Sequence, residues 1–226
     1  MRRFFLFLPL VALFFYTQTS HAQITVGVKT GIHFADARVE GFANDFLPEP
    51  EVYSGFAGGV FVELPMLNGF SFRPELNYVQ KGFQAMENLS FSELEIPVGA
   101  GLKTRINNLE VPLLFKYTYG NEVAKWYIIA GPNVSYATDA WARPVVRAII
   151  EFTLPRQDIN LSNDIYRRWD ISATGGVGGE IKAGEGKIIA DLRYTHGFAN
   201  FFDNPVIDVQ LRNQGFTLSA GYAYTF

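Results

Sequence analysis

From Phe216 to Phe226 the chain alternates strictly. Phe216, Leu218, Ala220, Tyr222, Tyr224 and Phe226 are separated by the small or polar residues Thr217, Ser219, Gly221, Ala223 and Thr225. A period of two puts one set on each face of an extended strand, so this stretch reads as a strand with one apolar face. The pattern recurs along the chain. Ile24, Val26, Val28, Ile32 and Phe34 alternate with Thr25, Gly27, Lys29, Gly31 and His33. In all, eight segments carry the pattern, at about 24–34, 55–65, 70–81, 107–119, 126–138, 169–182, 188–198 and 214–226.

Hydrophobic residues make up 48% of the chain, yet after Tyr16 none of the apolar runs approaches the ~20 residues a transmembrane helix needs. The apolar content is dispersed over strands. A closed set of strands is the other backbone arrangement that satisfies its own hydrogen bonds within lipid.

Charge placement sharpens this. Within the eight segments Lys29, Glu63, Arg73, Glu75, Lys81, Glu110, Lys116, Asp170, Glu180, Lys182, Asp191 and Arg193 all fall on the less apolar parity. The other parity carries no charge, as lipid requires, since a Lys or Arg facing the bilayer centre costs about 2–4 kcal/mol. A soluble lipocalin-like barrel would alternate in the same way with its faces exchanged. Against it stand aromatics at the ends of the apolar stripes (Phe70, Phe72, Tyr117, Tyr119, Trp126, Tyr136, Trp169), a terminal Phe226, and a first strand reading GVKTG where lipocalins carry Gly-x-Trp.

Short links at Met66–Gly69, Gly120–Lys125 and Ala183–Lys187 alternate with long ones at about 35–54, 82–106, 139–168 and 199–213. This predicts an all-β, eight-stranded antiparallel up-and-down transmembrane barrel with periplasmic turns, extracellular loops and both termini periplasmic. A second domain is not indicated.

The N-terminus reads as a targeting signal. Arg2 and Arg3 precede an apolar run from Phe4 to Tyr16, and Ser20-His21-Ala22 offers small residues for cleavage after Ala22. Residues 1–22 are the expected signal peptide and residues 23–226 the outer-membrane barrel. Removing Arg2 and Arg3 takes the net charge from -3 to -5, too mild to indicate nucleic acid as a partner. Without cysteines, stability must come from hydrogen bonding and packing.

The segments VGVKTG, GFAGGVFVEL, FRPELNYVQKG, LEVPLLFKY, IIAGPNVSY, DISATGGVGGEI, ADLRYTHG and FTLSAGYAYTF carry a family resemblance. In order and spacing they resemble the PorT-like outer-membrane barrels typical of Bacteroidetes. The resemblance implies a cell outer-membrane location, insertion by the barrel-assembly machinery, and a role that in one member concerns assembly of a secretion system. The closing Tyr222, Tyr224 and Phe226 resemble the C-terminal signal of outer-membrane barrels.

Four candidate sites follow from the residues. Lys29, Glu63, Arg73, Glu75, Glu110, Lys116, Glu180, Asp191 and Arg193 form a balanced lumen set. Of these, Arg73, Glu75, Glu110, Lys116, Asp191 and Arg193 are expected to make one connected ionic network. Such a set reads as a plug, because an eight-stranded interior is just wide enough for side chains; a narrow solute channel is the alternative. Arg143, Arg147, Arg156, Arg167 and Arg168 in the 139–168 link are candidates to meet lipopolysaccharide phosphates. The alternative, favoured by the nearby Asp139, Glu151, Asp158 and Asp164, is a solvated strand extension, since the alternating VVRAIIEFTL predicts that strands 5 and 6 continue above the membrane. The acidic stretch 35–54 lacks the regular spacing of a calcium loop. Finally, His33 is followed by Phe34-Ala35 and His196 by Gly197-Phe198, so neither makes the His-x-Ser pair of lipid-hydrolysing barrels. No catalytic, metal or cofactor site is expected. The predicted protein is non-enzymatic, with outer-membrane lipid, lipopolysaccharide and an envelope or secretion-system protein as partners.

Overall fold

The structure, a computed structural model, describes residues 23–40, 50–51, 53–89, 98–147, 151–159, 168–198 and 210–226. The expected signal peptide, residues 1–22, lies outside the described residues.

Eight long strands form the wall: β1 (Thr25–Glu40), β2 (Tyr53–Pro65), β3 (Phe70–Leu89), β4 (Val98–Gly120), β5 (Ala124–Arg147), β6 (Trp169–Ala183), β7 (Gly186–Gly197) and β8 (Gln210–Thr225). Each pairs antiparallel with its sequence neighbours. β8 closes the circle on β1, with Thr25 opposite Thr225 and Glu40 opposite Gln210. Closure removes the unpaired edges that an open sheet would present to lipid.

Burial is inverted relative to a soluble domain. Outward Val28 and Ile128 are each 59% exposed and Leu218 is 54% exposed, whereas Arg73 and Lys116 inside are 0% exposed. This inversion is what lipid as solvent imposes, and it decides between the membrane barrel and the lipocalin-like alternative. Aromatic pairs mark the band's rims: Phe70 with Tyr117 (4.7 Å between centroids) on the tight-turn side and Tyr136 with Trp169 (4.8 Å) on the other.

The tight turns fall where expected, for local reasons. Asn68 and Gly69 both take positive φ (55° and 83°), the geometry of a primed hairpin turn closed by Phe70 N–H donating to Leu67 O at 3.1 Å. Between β4 and β5, Asn121 Oδ1 accepts from the N–H of Val123 (3.0 Å) and Ala124 (2.8 Å), a side chain standing in for a turn's backbone acceptor.

Three expectations need correction. Most of 82–106 is strand, not loop, because β3 runs to Leu89 and β4 starts at Val98. Strand 5 does continue upward, to Arg147, but strand 6 starts only at Trp169; in its place Glu151–Thr153 and Gln157–Asp158 fold back along β5. Lys182, expected inside, is exposed, since it lies at the turn end of β6 beyond the enclosed lumen.

Candidate functional site: the barrel lumen

Inward positions hold three ionic clusters at different depths. Nearest the tight turns, Lys116 Nζ lies 2.9 Å from Glu63 and 2.6 Å from Glu180, and Lys187 lies 3.3 Å and 3.0 Å from the same two carboxylates. Two cations and two anions thus close a ring contributed by β2, β4, β6 and β7. Lys187 is a residue that sequence reasoning placed in a turn. Extending the odd parity of Ile189, Asp191 and Arg193 by one step would have found it.

At mid-depth Glu75 is the hub. Arg193 donates to both of its oxygens at 2.8 and 3.0 Å, and Lys29 Nζ lies 2.6 Å from Oε2. Asn77 Nδ2 donates to Oε2 at 3.0 Å. Arg193 also donates to Asp191 at 2.8 Å, while Ser219 Oγ and Tyr127 Oη donate to the same carboxylate at 2.6 and 3.0 Å. Arg73 Nε lies 3.0 Å from Glu75, an ion pair by distance whose N–H is not directed at the oxygen. Its guanidinium instead stacks 3.6 Å from the Phe61 ring centroid. A buried guanidinium is thereby held by an aromatic face as well as a carboxylate.

The third cluster lies toward the long loops. Lys81 pairs with Glu110 at 2.5 Å, and Asn133 Nδ2 donates to Glu110 at 3.1 Å and to Ser172 at 3.2 Å. Between this cluster and the Glu75 hub lies a cavity of about 30 Å3 lined by Lys29, Asn77, Glu110, Thr174, Arg193 and Ser219. That is room for about two waters among polar groups.

The single connected network therefore does not form as expected. Arg73, Glu75, Asp191 and Arg193 belong together, but Lys116 sits in the ring below and Glu110 in the cluster above. Tyr127 joins the lower two: its ring centroid is 4.4 Å from Lys116 Nζ, and its hydroxyl reaches Asp191. The outward parity of Trp126 and Ile128 already implied an inward Tyr127. What made room for it is Gly178, where a Cβ would overlap the phenol ring; Gly27 makes the same room for Phe61.

His33 is buried inside with Nδ1 2.8 Å from Thr217 Oγ1, whereas His196 stacks between Tyr194 and Phe198. Among the described residues no group of three His, Cys, Asp or Glu side chains is placed to hold a metal. Of the loop arginines, Arg143 and Arg156 approach Trp141, and Arg168 donates to Tyr136 Oη at 3.0 Å. Arg167 and the side chain of Arg147 lie outside the described residues, as do the side chains of the acidic stretch from Asp36 to Glu51. Tyr222 donates to Ala183 O at 3.2 Å, Tyr224 to Glu185 at 3.2 Å, and Tyr224 packs edge-on against Phe226 (4.9 Å).

A closed wall, an apolar exterior and a charged, filled interior define a small membrane-spanning β-barrel. The chain belongs to the outer membrane protein beta-barrel domain family, whose model matches residues 16–203. In fold it is similar to OprG of Pseudomonas aeruginosa (12% identity over 91% of this chain and 97% of that one, TM-score 0.45). It is also similar to Neisserial surface protein A (12%, 90% and 97%, TM-score 0.43) and to Ail of Yersinia pestis (13%, 89% and 99%, TM-score 0.40). No curated protein matches the chain. Family membership supports an outer-membrane location.

Proposed function

We propose that this is a non-enzymatic outer-membrane protein whose lumen is a structural plug and whose working surface is the part of the barrel above the apolar band. The carrying observation is the filled cross-section: Arg73 and Lys116 are 0% exposed, and their clusters reach across from opposite walls. Eight strands leave an interior just wide enough for side chains, and these side chains occupy it. Its role is structural or interactive, accessory to a secretion or envelope assembly system, a reading supported by the resemblance to PorT-like barrels. The termini meet at the tight-turn end, where Phe226 N–H donates to Ile24 O at 3.0 Å. That end is the periplasmic one, and there Tyr222, Tyr224 and Phe226 serve as the assembly machinery's recognition segment.

Planar-bilayer recording of the refolded chain tests the plug: no unitary conductance is expected. Discrete steps would instead favour the narrow channel, for which the cavity between the clusters would be the wide point. Crosslinking in intact outer membranes followed by pull-down tests the interaction role, with an envelope or secretion-system protein expected. Turnover of lipid or peptide substrates would overturn the non-enzymatic reading.

A further inference from the structure

Above the apolar band the outer wall changes character at a β-bulge. Below it the odd-numbered side chains of β5, including Tyr127, Ile129 and Ala137, point into the lumen and are buried. The β4–β5 register then shifts, so that Asn108 faces Ala137 while Asn107 faces Asp139. Thr138 is the extra residue, its hydroxyl donating to Asn107 O at 2.9 Å. One inserted residue reverses the parity of all that follow. Trp141 and Arg143 consequently share the outer face with their cross-strand partners Arg105 and Lys103.

Three guanidinium groups converge on one indole. Arg105, Arg143 and Arg156 lie 5.1, 5.2 and 5.5 Å from the Trp141 ring centroid. Arg156 is tethered by Asp158 at 2.6 Å and Asp139 at 3.5 Å, and Arg143 Nε has no hydrogen-bond partner among the described residues. Such stacking orients the planar N–H forks for bidentate contact with phosphate, at a reduced entropic cost.

Depth identifies the occupant. On β4 the outward apolar stripe runs from Tyr119 to Leu109, about 33 Å along the strand at about 3.3 Å per residue. At a tilt of about 40° this spans about 25 Å, the height of a lipid-facing band. Arg105 follows Leu109 after one outward position, Asn107, which puts it at headgroup level facing sideways into the leaflet. The cluster faces lipid headgroups rather than the open medium.

We propose that Trp141, Arg105, Arg143 and Arg156 form a site for the phosphate groups of a phosphorylated glycolipid of the outer leaflet. The inference rests on the membrane reading above and deepens it by naming the lipid class and by adding Trp141 and Arg105. The test uses the full mature chain with Trp126→Phe and Trp169→Phe, leaving Trp141 as the reporter, in phosphatidylcholine nanodiscs containing bisphosphorylated or dephosphorylated lipid A. Trp141 emission is expected to respond at an about fivefold lower mole fraction of the bisphosphorylated lipid. Arg105→Gln with Arg143→Gln should abolish that preference, and Arg105→Lys with Arg143→Lys should retain part of it. Heat-modifiable gel mobility verifies that each variant is folded. Equal response to both lipids, or an unchanged preference in the Gln variant, overturns the site. An equal response to inorganic phosphate in lipid A-free discs overturns the lipid assignment in favour of a soluble anion. Quenching of Trp126 and Trp169 in the natural chain by brominated phosphatidylcholine separates the two readings: without it the membrane placement itself fails, and with it only the site is in question.

Discussion

Arg193 on β7 and Glu75 on β3 meet across the full width of the lumen, joined by two hydrogen bonds of 2.8 and 3.0 Å, although four strand positions separate them around the wall. A bidentate guanidinium–carboxylate pair is the strongest neutralising geometry available to two buried charges. Here it ties opposite sides of the cylinder together.

Among the described residues, loss of Arg193 strips Asp191 of its ion pair and loss of Glu75 strips Lys29 and Arg73 of theirs, and breaking a buried pair typically costs about 3–5 kcal/mol. Arg193→Ala or Glu75→Ala should therefore lower the urea unfolding midpoint strongly. Arg143→Ala, on the half-buried outer face, should cost under about 1 kcal/mol. Both are measured by band-shift or fluorescence titration in the same lipid. Equal, small effects would mean that the lumen is hydrated.

A Cβ on Gly178 would overlap the Tyr127 ring. Gly178→Ala should destabilise by about 1–3 kcal/mol, as overpacking does. In a Tyr127→Leu background the same change should cost distinctly less. A double-mutant cycle in urea reads the coupling, and strict additivity would show that the two residues do not compete for space.

Parity can be followed by site-directed spin labelling. Even positions from Phe216 to Tyr224 should report oxygen accessibility and odd ones should not. On β5 the alternation should reverse phase across Thr138, with Tyr136 and Trp141 outward and Ala137 and Ala140 inward. A phase that continues unchanged to Arg143 would refute the bulge.

Export has its own test. N-terminal sequencing of the protein from purified outer membranes should begin at Gln23, or be blocked by cyclisation of that glutamine. Recovery of chains that still carry Phe4 to Tyr16 would refute cleavage after Ala22.

Sequence alone determined whatever depends on local periodicity. Side-chain direction in a strand alternates residue by residue, so Val28, Ile128 and Leu218 could be assigned to lipid and Lys29, Glu75 and Arg193 to the lumen without any knowledge of strand pairing. The turns were equally legible, because Asn68-Gly69 and Asn121 carry their own backbone chemistry. Tertiary structure decided who meets whom inside. Height in a tilted barrel is set by the accumulated stagger of all eight strands, and that sum appears in no single segment. For this reason Lys116 was grouped with Arg73 and Asp191 but is bound by Glu63 and Glu180 one level below. Strand parity alone places Lys187 and Tyr127 inside; the stagger decides only their partners, Glu63 and Glu180 for Lys187 and Asp191 for Tyr127. The bulge at Thr138 is the clearest case. It has no composition signature, yet by inserting one residue it moves Trp141 and Arg143 onto the outer face beside Arg105, and so creates the only cluster that faces the leaflet among the described charge clusters discussed above.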